Sequence, residues 1–227
     1  MIRAIIPASD YVYMTRFASK DDTRFWLEGV AVEAAPDAGA LLVATSGHVL
    51  GAMRLDRSES YFTGENFILA ADKNLIRACK VKKNDHAVIV CREDRVDVIV
   101  TRYGAPEIGD LLADKSPAPQ CSFPPALYID GTFPNWRAVM PRYDRESAYK
   151  RPDDVGINAE LIALFNAPNK PGVSFDWNGP DPIAVLNHDP RFYGIIMPMR
   201  DGLERSEFDR RRDWIIQKAE AAATQAA

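Results

Sequence analysis

No stretch of this 227-residue chain is apolar for long enough to cross a bilayer, and its first residues show no signal-peptide pattern. The expectation is a cytoplasmic protein. Cysteine is scarce. Cys79, Cys91 and Cys121 are odd in number and form no CxxC pair, which argues against a disulfide framework and fits idle thiols in a reducing compartment. Histidine is equally thin: His48, His86 and His188 fall in no HxH or HExxH spacing, so no metal is expected. Walker A, GxGxxG and GxSxG patterns are all missing, which removes the common nucleotide cradles and the nucleophile elbow. The acid pairs Asp21-Asp22 and Asp153-Asp154 sit in turn-like segments and read as solvated loop residues. No catalytic residue is nominated and no cofactor is expected. A net charge of −4 excludes a surface that coats nucleic acid everywhere, while leaving room for one local basic face.

What is present is the composition of a globular protein, 47% hydrophobic and 26% charged, long enough for one large or two small domains. The stretch from Arg24 to Met53 dominates. Its alternation predicts a strand carrying Phe25, Leu27, Val30 and Val32, a turn at Pro36-Asp37-Ala38-Gly39, and a second strand carrying Leu41, Val43, Thr45 and Val49. Ser46-Gly47-His48 interrupts that second strand, as a bulge or a place where another backbone comes close. Before it, residues 1–6 predict a short strand, and Ser9 or Asp10 would cap a helix continuing through Tyr11–Lys20.

The pattern then starts again. Phe67–Leu69 predicts a strand, 70–81 a helix with Leu75, Ile76 and Cys79 on one face, and His86–Arg92 and Arg95–Arg102 two more strands. Gly104–Pro125 is a long loop, and Ala126–Met140 a further strand. A third repetition has a helix over Ile157–Phe165 begun by Asn158, then strands over Val173–Trp177, Ile183–Asn187 and Phe192–Met199. Past Gly202, a helix started near Ser206 would place Phe208, Ile215, Ala219 and Ala222 on one face.

Three stretches carry a family resemblance. They are RFWLEGV with VATSGHVL (24–30 and 43–50), IDGTFPNWRAVMPR (129–142) and YGIIMPMR (193–200). In that order they resemble the R-Y-Y-L-N-G with A-T-D-G-H-R-L, the D-G-x-F/Y-P-D-Y-R-x-V-x-P and the Y-x-x-M-P-M-R/K of bacterial DNA polymerase III beta sliding clamps. The resemblance implies an α+β DNA clamp fold: repeated β-α-β-β-β units with antiparallel sheets outside and helices inside. It divides the chain into a full clamp-like domain over 1–142, a linker over 143–156, a half domain over 157–202 and a helical tail over 203–227. The family has three full domains, so the first domain and half of the last have no counterpart here.

Two sites follow from the resemblance. Lys73, Arg77 and Lys80 share a helix face opposite Leu75 and Cys79, and Lys82 and Lys83 extend the charge. By spacing alone this is an ordinary solvated face. By resemblance it lines a channel around duplex DNA, joined by Arg16, Lys20 and Arg24, with sequence-blind contacts weakened by Asp72 and Glu160. The second is an apolar pocket for a short peptide from a polymerase or other DNA-processing partner. Its implied positions are Leu27, Thr45, Gly47, His48, Leu50, Pro134, Val139, Ile195, Met197, Pro198, Met199 and Arg200. Leu27 and Val139 read equally well as sheet core. Ser46, Val49 and Ala138 replace an acid and two arginines of the family pattern, while Arg137 keeps one. The pocket is therefore expected to be more apolar than its relatives.

The implied function is that of a non-enzymatic processivity factor, served by a clamp loader. Rings of roughly twelve such units, with three units per chain, suggest a homo-oligomer of four. The other reading is an adaptor or decoy that captures clamp-binding peptides without encircling DNA.

Overall fold

The computed structural model describes residues 1–35, 39–102, 104–115, 117–141, 156–168, 170–177, 182–199, 207 and 212. The chain opens with β1 (Ile2–Pro7), α1 (Ala8–Met14), β2 (Gly29–Ala34), β3 (Ala40–Thr45) and β4 (Val49–Leu55). A two-residue β5 (Tyr61–Phe62) leads to β6 (Phe67–Ala70), α2 (Lys73–Ala78), β7 (His86–Arg92) and β8 (Val96–Thr101). Then come α3 (Ile108–Leu112), β9 (Cys121–Phe123) and β10 (Tyr128–Ile129). The last described block is α4 (Ala159–Ile162), β11 (Ser174–Asp176), β12 (Ile183–Leu186) and β13 (Phe192–Ile196).

These elements form two antiparallel sheets with helices between them. One sheet runs β5-β1-β7-β8-β9 and the other β10-β6-β2-β3-β4-β13-β12-β11. The first two units exchange their opening strands: β1 leaves its own unit to lie beside β7, and β6 lies beside β2. That exchange makes them one body, because each sheet needs a strand from the other unit. α1 and α2 fill the space between, burying Tyr11, Tyr13, Met14 and Leu75 against both sheets. α1 is the middle helix: the Tyr11 hydroxyl donates to the Ala70 carbonyl just before α2, and the Tyr13 hydroxyl donates to the Phe165 carbonyl just after α4 at 2.9 Å.

The third unit joins the first edge to edge, last strand to last strand. β13 pairs antiparallel with β4 over Phe192↔Met53 to Ile196↔Val49. On the inner side, the rings of Tyr13, Phe17, Phe165 and Phe192 pack with centroids 5.1–6.2 Å apart across the junction. Gly194 makes this possible, since a Cβ there would stand 2.4 Å from the Phe165 ring. Nearby, the Arg191 guanidinium donates to Asp189, to Asp10 of α1 and to Glu59, so one cation staples all three segments. Arg191 holds the Asp189 carboxyl below the usual carboxylate range, whereas burial pushes Asp10 up despite the same partner.

The structure corrects several local expectations. α1 starts at Ala8 with Pro7 as its cap, and neither Ser9 nor Asp10 caps it. Asp10 is instead buried against Arg191. The helix ends at Met14, runs on as a 3₁₀ turn to Phe17, and leaves Lys20 in the following connection. Phe25 and Leu27 belong to a 3₁₀ segment over Asp22–Leu27, because the Asp21 side chain accepts from the Thr23 N–H and starts a turn there. Ser46-Gly47-His48 is no bulge but the turn between β3 and β4, with Gly47 at φ 88°. The Gly104–Pro125 loop contains α3 and β9, and the expected strand over 126–140 shrinks to β10 and a 3₁₀ turn at Trp136–Val139. β5, inside the polar 57–66 stretch, gives no sequence signal. The expected linker lies outside the described residues except for Gly156, as does the tail except for Glu207 and Arg212.

Buried thiols and phenols make the fold sensitive to alkali. Burial pushes Cys79 and Cys91 up to about 12 from 9.0, and Tyr13 up to about 12 from 10.0. Below pH 9 these groups are protonated whether the chain is folded or not, and their contribution is fully present. As pH rises from 9 towards 12, the unfolded chain releases protons that the fold retains. Stability is therefore lost by about 1.4 kcal/mol per pH unit for each thiol above pH 9 and for Tyr13 above pH 10. Melting temperatures taken from pH 7 to 11 should stay level at first and then fall steeply. A curve that is level to pH 11 contradicts this.

Candidate functional site

Four segments meet at the junction of the first and third units. The 3₁₀ segment over 22–27 brings Leu27, the β3–β4 turn and its flanks bring Thr45, Gly47, His48, Val49 and Leu50, the turn over 136–139 and the residues before it bring Pro134, Asn135, Trp136 and Val139, and β13 with the segment after it brings Ile195 and Met197. Together they line one groove of about 160 Å³. Leu50 and Ile195, with Ala31, Val43 and Ala52, form a buried apolar cluster under Phe133, Trp136, Val139 and Met140. The groove floor is therefore continuous with a packed core, and its shape is set before any ligand arrives.

Hydrogen bonds fix the rim. Thr45 Oγ1 donates to the Val49 carbonyl at 2.7 Å and accepts from the Gly47 N–H at 3.0 Å, which closes the turn on itself. Gly47 needs its positive φ there, and a Cβ would come within 3.0 Å of the Arg24 guanidinium. The Met197 N–H donates to the His48 carbonyl at 2.9 Å, locking the turn to the segment after β13. On the opposite wall, Glu33 accepts from Trp136 Nε1 at 3.1 Å and pairs with Arg137 at 3.0 Å. The Arg137 guanidinium stacks 4.1 Å over the Trp136 ring. This buried acid holds the whole turn over 136–139 against the sheet.

Nine of the twelve positions implied for the peptide pocket, Leu27, Thr45, Gly47, His48, Leu50, Pro134, Val139, Ile195 and Met197, are thus brought together. Pro198 and Met199 follow on from the wall, and the Met199 N–H donates to the Gly156 carbonyl at 2.8 Å. Met199 is exposed. Arg200 lies outside the described residues. Asn135, Trp136 and Glu33 were not singled out in the sequence, and Val49 only as a strand residue that replaces an arginine of the family pattern. A Trp inside the matched 129–142 stretch and a lone acid in an otherwise apolar strand were the available signals.

The basic residues divide. Lys73, Arg77, Lys80, Lys82 and Lys83 are all exposed on α2 and the turn after it. Asp72 caps α2, accepting from the Asn74 and Leu75 N–H groups, so its charge is committed to the helix start. Arg16 is exposed beyond α1, its guanidinium 5.1 Å over the Tyr13 ring and 3.4 Å from the Asn166 carbonyl. Lys20 is exposed past the helix. Arg24 stands apart from this group: it pairs with Asp21 at 3.1 Å and reaches over Gly47 at the groove. Among the described residues, no three His, Cys, Asp or Glu side chains gather where a metal could be held. No described helix is long and apolar enough to cross a membrane.

No protein-family model and no curated protein sequence matches the chain. Solved structures do. The beta sliding clamp of Caulobacter crescentus is similar with a TM-score of 0.58 at 17% identity, covering 88% of this chain and 65% of that one. The clamp of Bartonella birtlesii bound to griselimycin gives 0.55 at 14% identity, covering 88% and 66%. DNA polymerase III subunit beta of Borrelia burgdorferi in complex with a natural product gives 0.53 at 12%, covering 87% and 62%. At these identities the match establishes an α+β DNA clamp fold. The chain spans 62–66% of the length of these clamps.

Proposed function

We propose that the chain is a non-enzymatic sliding-clamp-like processivity factor, working in the cytoplasm with other copies of itself and, for loading, a clamp loader. It tracks duplex DNA with the cationic face of α2, joined by Arg16 and Lys20 beyond α1, and tethers a polymerase or other DNA-processing partner through a short apolar peptide. No cofactor takes part. The observation that carries this reading is the groove. Residues from positions as distant as 27 and 197 converge on one apolar cleft at a junction between units, in a protein whose fold matches sliding clamps. A cleft with a packed floor, adaptable Met197 and an open glycine turn suits a peptide better than a reacting small molecule.

The helix face suits DNA held loosely. Its cations are exposed and none stands near a device for reading base edges, so the contacts are electrostatic and blind to sequence. Reversing Lys73, Arg77 and Lys80 to Glu together is expected to abolish retention on circular duplex DNA. In the parent protein, affinity should fall with salt at a slope of about −0.9 for each phosphate contacted, and the reversal should flatten that slope. Binding of fluorescein-labelled apolar peptides should be unchanged by the same reversal. If the parent protein binds such peptides but shows no salt-dependent DNA association, the adaptor reading replaces the clamp. If it binds no peptide, the groove reading is lost.

A further inference from the structure

We propose that Glu33 sets the specificity of the groove. By holding Arg137 in an ion pair it keeps the Trp136 wall electrically neutral, so that the cleft selects peptides with neutral rather than acidic flanks. Its role rests on the groove being a peptide site, and it names the flank chemistry of that peptide. Glu33 lies on β2, between Val32 and Ala34. Alternation along this strand turns Val30 and Val32 into the core between the sheets, and Ala31 into the cluster under the groove. Glu33 shares the side of Ala31. A buried acid therefore stands on the apolar, groove-bearing side of the sheet.

The two oxygens of that acid do different things. Oε1 accepts from Trp136 Nε1 at 3.1 Å, and Oε2 meets the Arg137 guanidinium at 3.0 Å. The first contact needs no charge. An indole N–H is a neutral donor, and a glutamine oxygen would accept from it at a lower desolvation cost. The second contact does need charge, because only a carboxylate cancels a guanidinium. Arg137 is therefore the reason that a carboxylate is buried where an amide could hold the tryptophan.

Arg137 also stands where a bound peptide would meet it. Its guanidinium stacks 4.1 Å over the ring of Trp136, which lines the groove. Among the described residues, those that line the groove include no Lys, Arg, Asp or Glu. Two arginines stand at its edges, Arg24 over Gly47 and Arg137 on Trp136. Both are paired, but not alike. Asp21, which holds Arg24 at 3.1 Å, is exposed, and water screens that pair. The Glu33 side chain is 11% exposed against 54% for Arg137, so the acid is fixed beneath an arginine whose outer side is open. An acidic side chain beside the apolar anchor of a peptide thus meets a cation that already has its acid.

The test uses two fluorescein-labelled peptides of equal length with the same core of adjacent leucines, one flanked by glutamines and the other by glutamates. Each is titrated with the full chain and followed by fluorescence anisotropy. The parent protein is expected to favour the glutamine peptide. Glu33→Gln keeps an acceptor for Trp136 and releases Arg137. It should move the preference towards the glutamate peptide by about 5- to 10-fold, the worth of one charge pair about 7 Å apart in a dielectric between protein surface and water. Affinity for the glutamine peptide should barely change, which a merely loosened wall would not allow. Adding Arg137→Gln should cancel the shift, as should about 1 M salt, where the Debye length is about 3 Å. Arg137→Gln alone leaves Glu33 unpaired and should move the preference the other way. That arm decides the matter if Glu33→Gln does not fold. Equal loss of both peptides in Glu33→Gln, or a shift that survives without Arg137, overturns the proposal. Peptide binding with one and the same preference in the parent and every variant sinks it and spares the groove. Binding of neither peptide by any of them sinks the groove reading, and this one with it.

Discussion

Gly194→Val is expected to lower the melting temperature by about 10 °C and to detach the third unit from the first. A Cβ at 194 would lie 2.4 and 2.6 Å from two atoms of the Phe165 ring, far inside contact distance. The ring has nowhere to go. Phe165 is fully buried, Phe17 and Phe192 pack against it, and its carbonyl is held by Tyr13 and Asn187. Overpacking a rigid site costs about 1–3 kcal/mol, and a branched side chain against an immobile ring belongs at or above the top of that range. For a chain of this length each kcal/mol moves the melting temperature by about 2–4 °C. A double-mutant cycle separates this clash from a general dislike of valine at 194. Phe165→Leu alone should destabilise by opening a cavity, but combined with Gly194→Val it should recover part of the loss, giving a favourable coupling. Strict additivity would contradict the packing argument. The consequence for the site is direct, because Ile195 and Met197 reach the groove only through the β4–β13 register that Gly194 permits.

Much of this architecture was legible in the residues, for reasons that differ from element to element. β7, β8, β12 and β13 emerge almost as expected, since β-branched runs bounded by turn residues have little else to do. The helices come out shorter than their periodicity suggests. Helical spacing persists from 70 to 81, but only Lys73–Ala78 is helix, because Cys79 ends the turn and the chain must swing out to begin β7. Phe25 and Leu27 alternate like strand residues and are not. A local competitor, the Asp21 side chain closing on Thr23, wins over the pattern. α3 buries only Leu111, too little apolar surface for the sequence to announce a helix. What no window of sequence contains is pairing between distant strands. The β4–β13 junction depends on Gly194 facing a ring twenty-nine positions back, and the wall at Trp136 depends on an acid, Glu33, more than a hundred positions away. Nine of the residues that line the groove could be named because they sit in three recognisable stretches. The members missed, Asn135 and Trp136, complete it by packing.

Met197→Asp should weaken peptide binding by at least about 100-fold while leaving the fold intact. Met197 is half-buried on the groove wall, and its structural tie is its backbone N–H on the His48 carbonyl, which the substitution keeps. Without peptide the new carboxylate can stay hydrated at the groove mouth, so the melting temperature should barely move. Peptide binding would seal it against Leu50, Val139 and Ile195, with no lysine or arginine among the groove-lining residues. Burying an unpaired charge costs several kcal/mol, and each 1.4 kcal/mol is about tenfold in affinity. Met197→Leu, which conserves volume and polarity, should stay within a few-fold of the parent. The replacement of family cations by Val49 and Ala138 sharpens the contrast. Val49 is buried in the groove lining, so the cleft has exchanged charge for apolar surface at that point. Peptides with adjacent large apolar residues should therefore bind better than acidic ones of equal length, and quenching of Trp136 gives a direct signal. Equal affinity of Met197→Asp and the parent for the apolar peptide would mean that the peptide sits elsewhere. A preference for the acidic peptide would instead assign recognition to Arg24 and Arg137 at the rim, with the apolar floor serving only the fold.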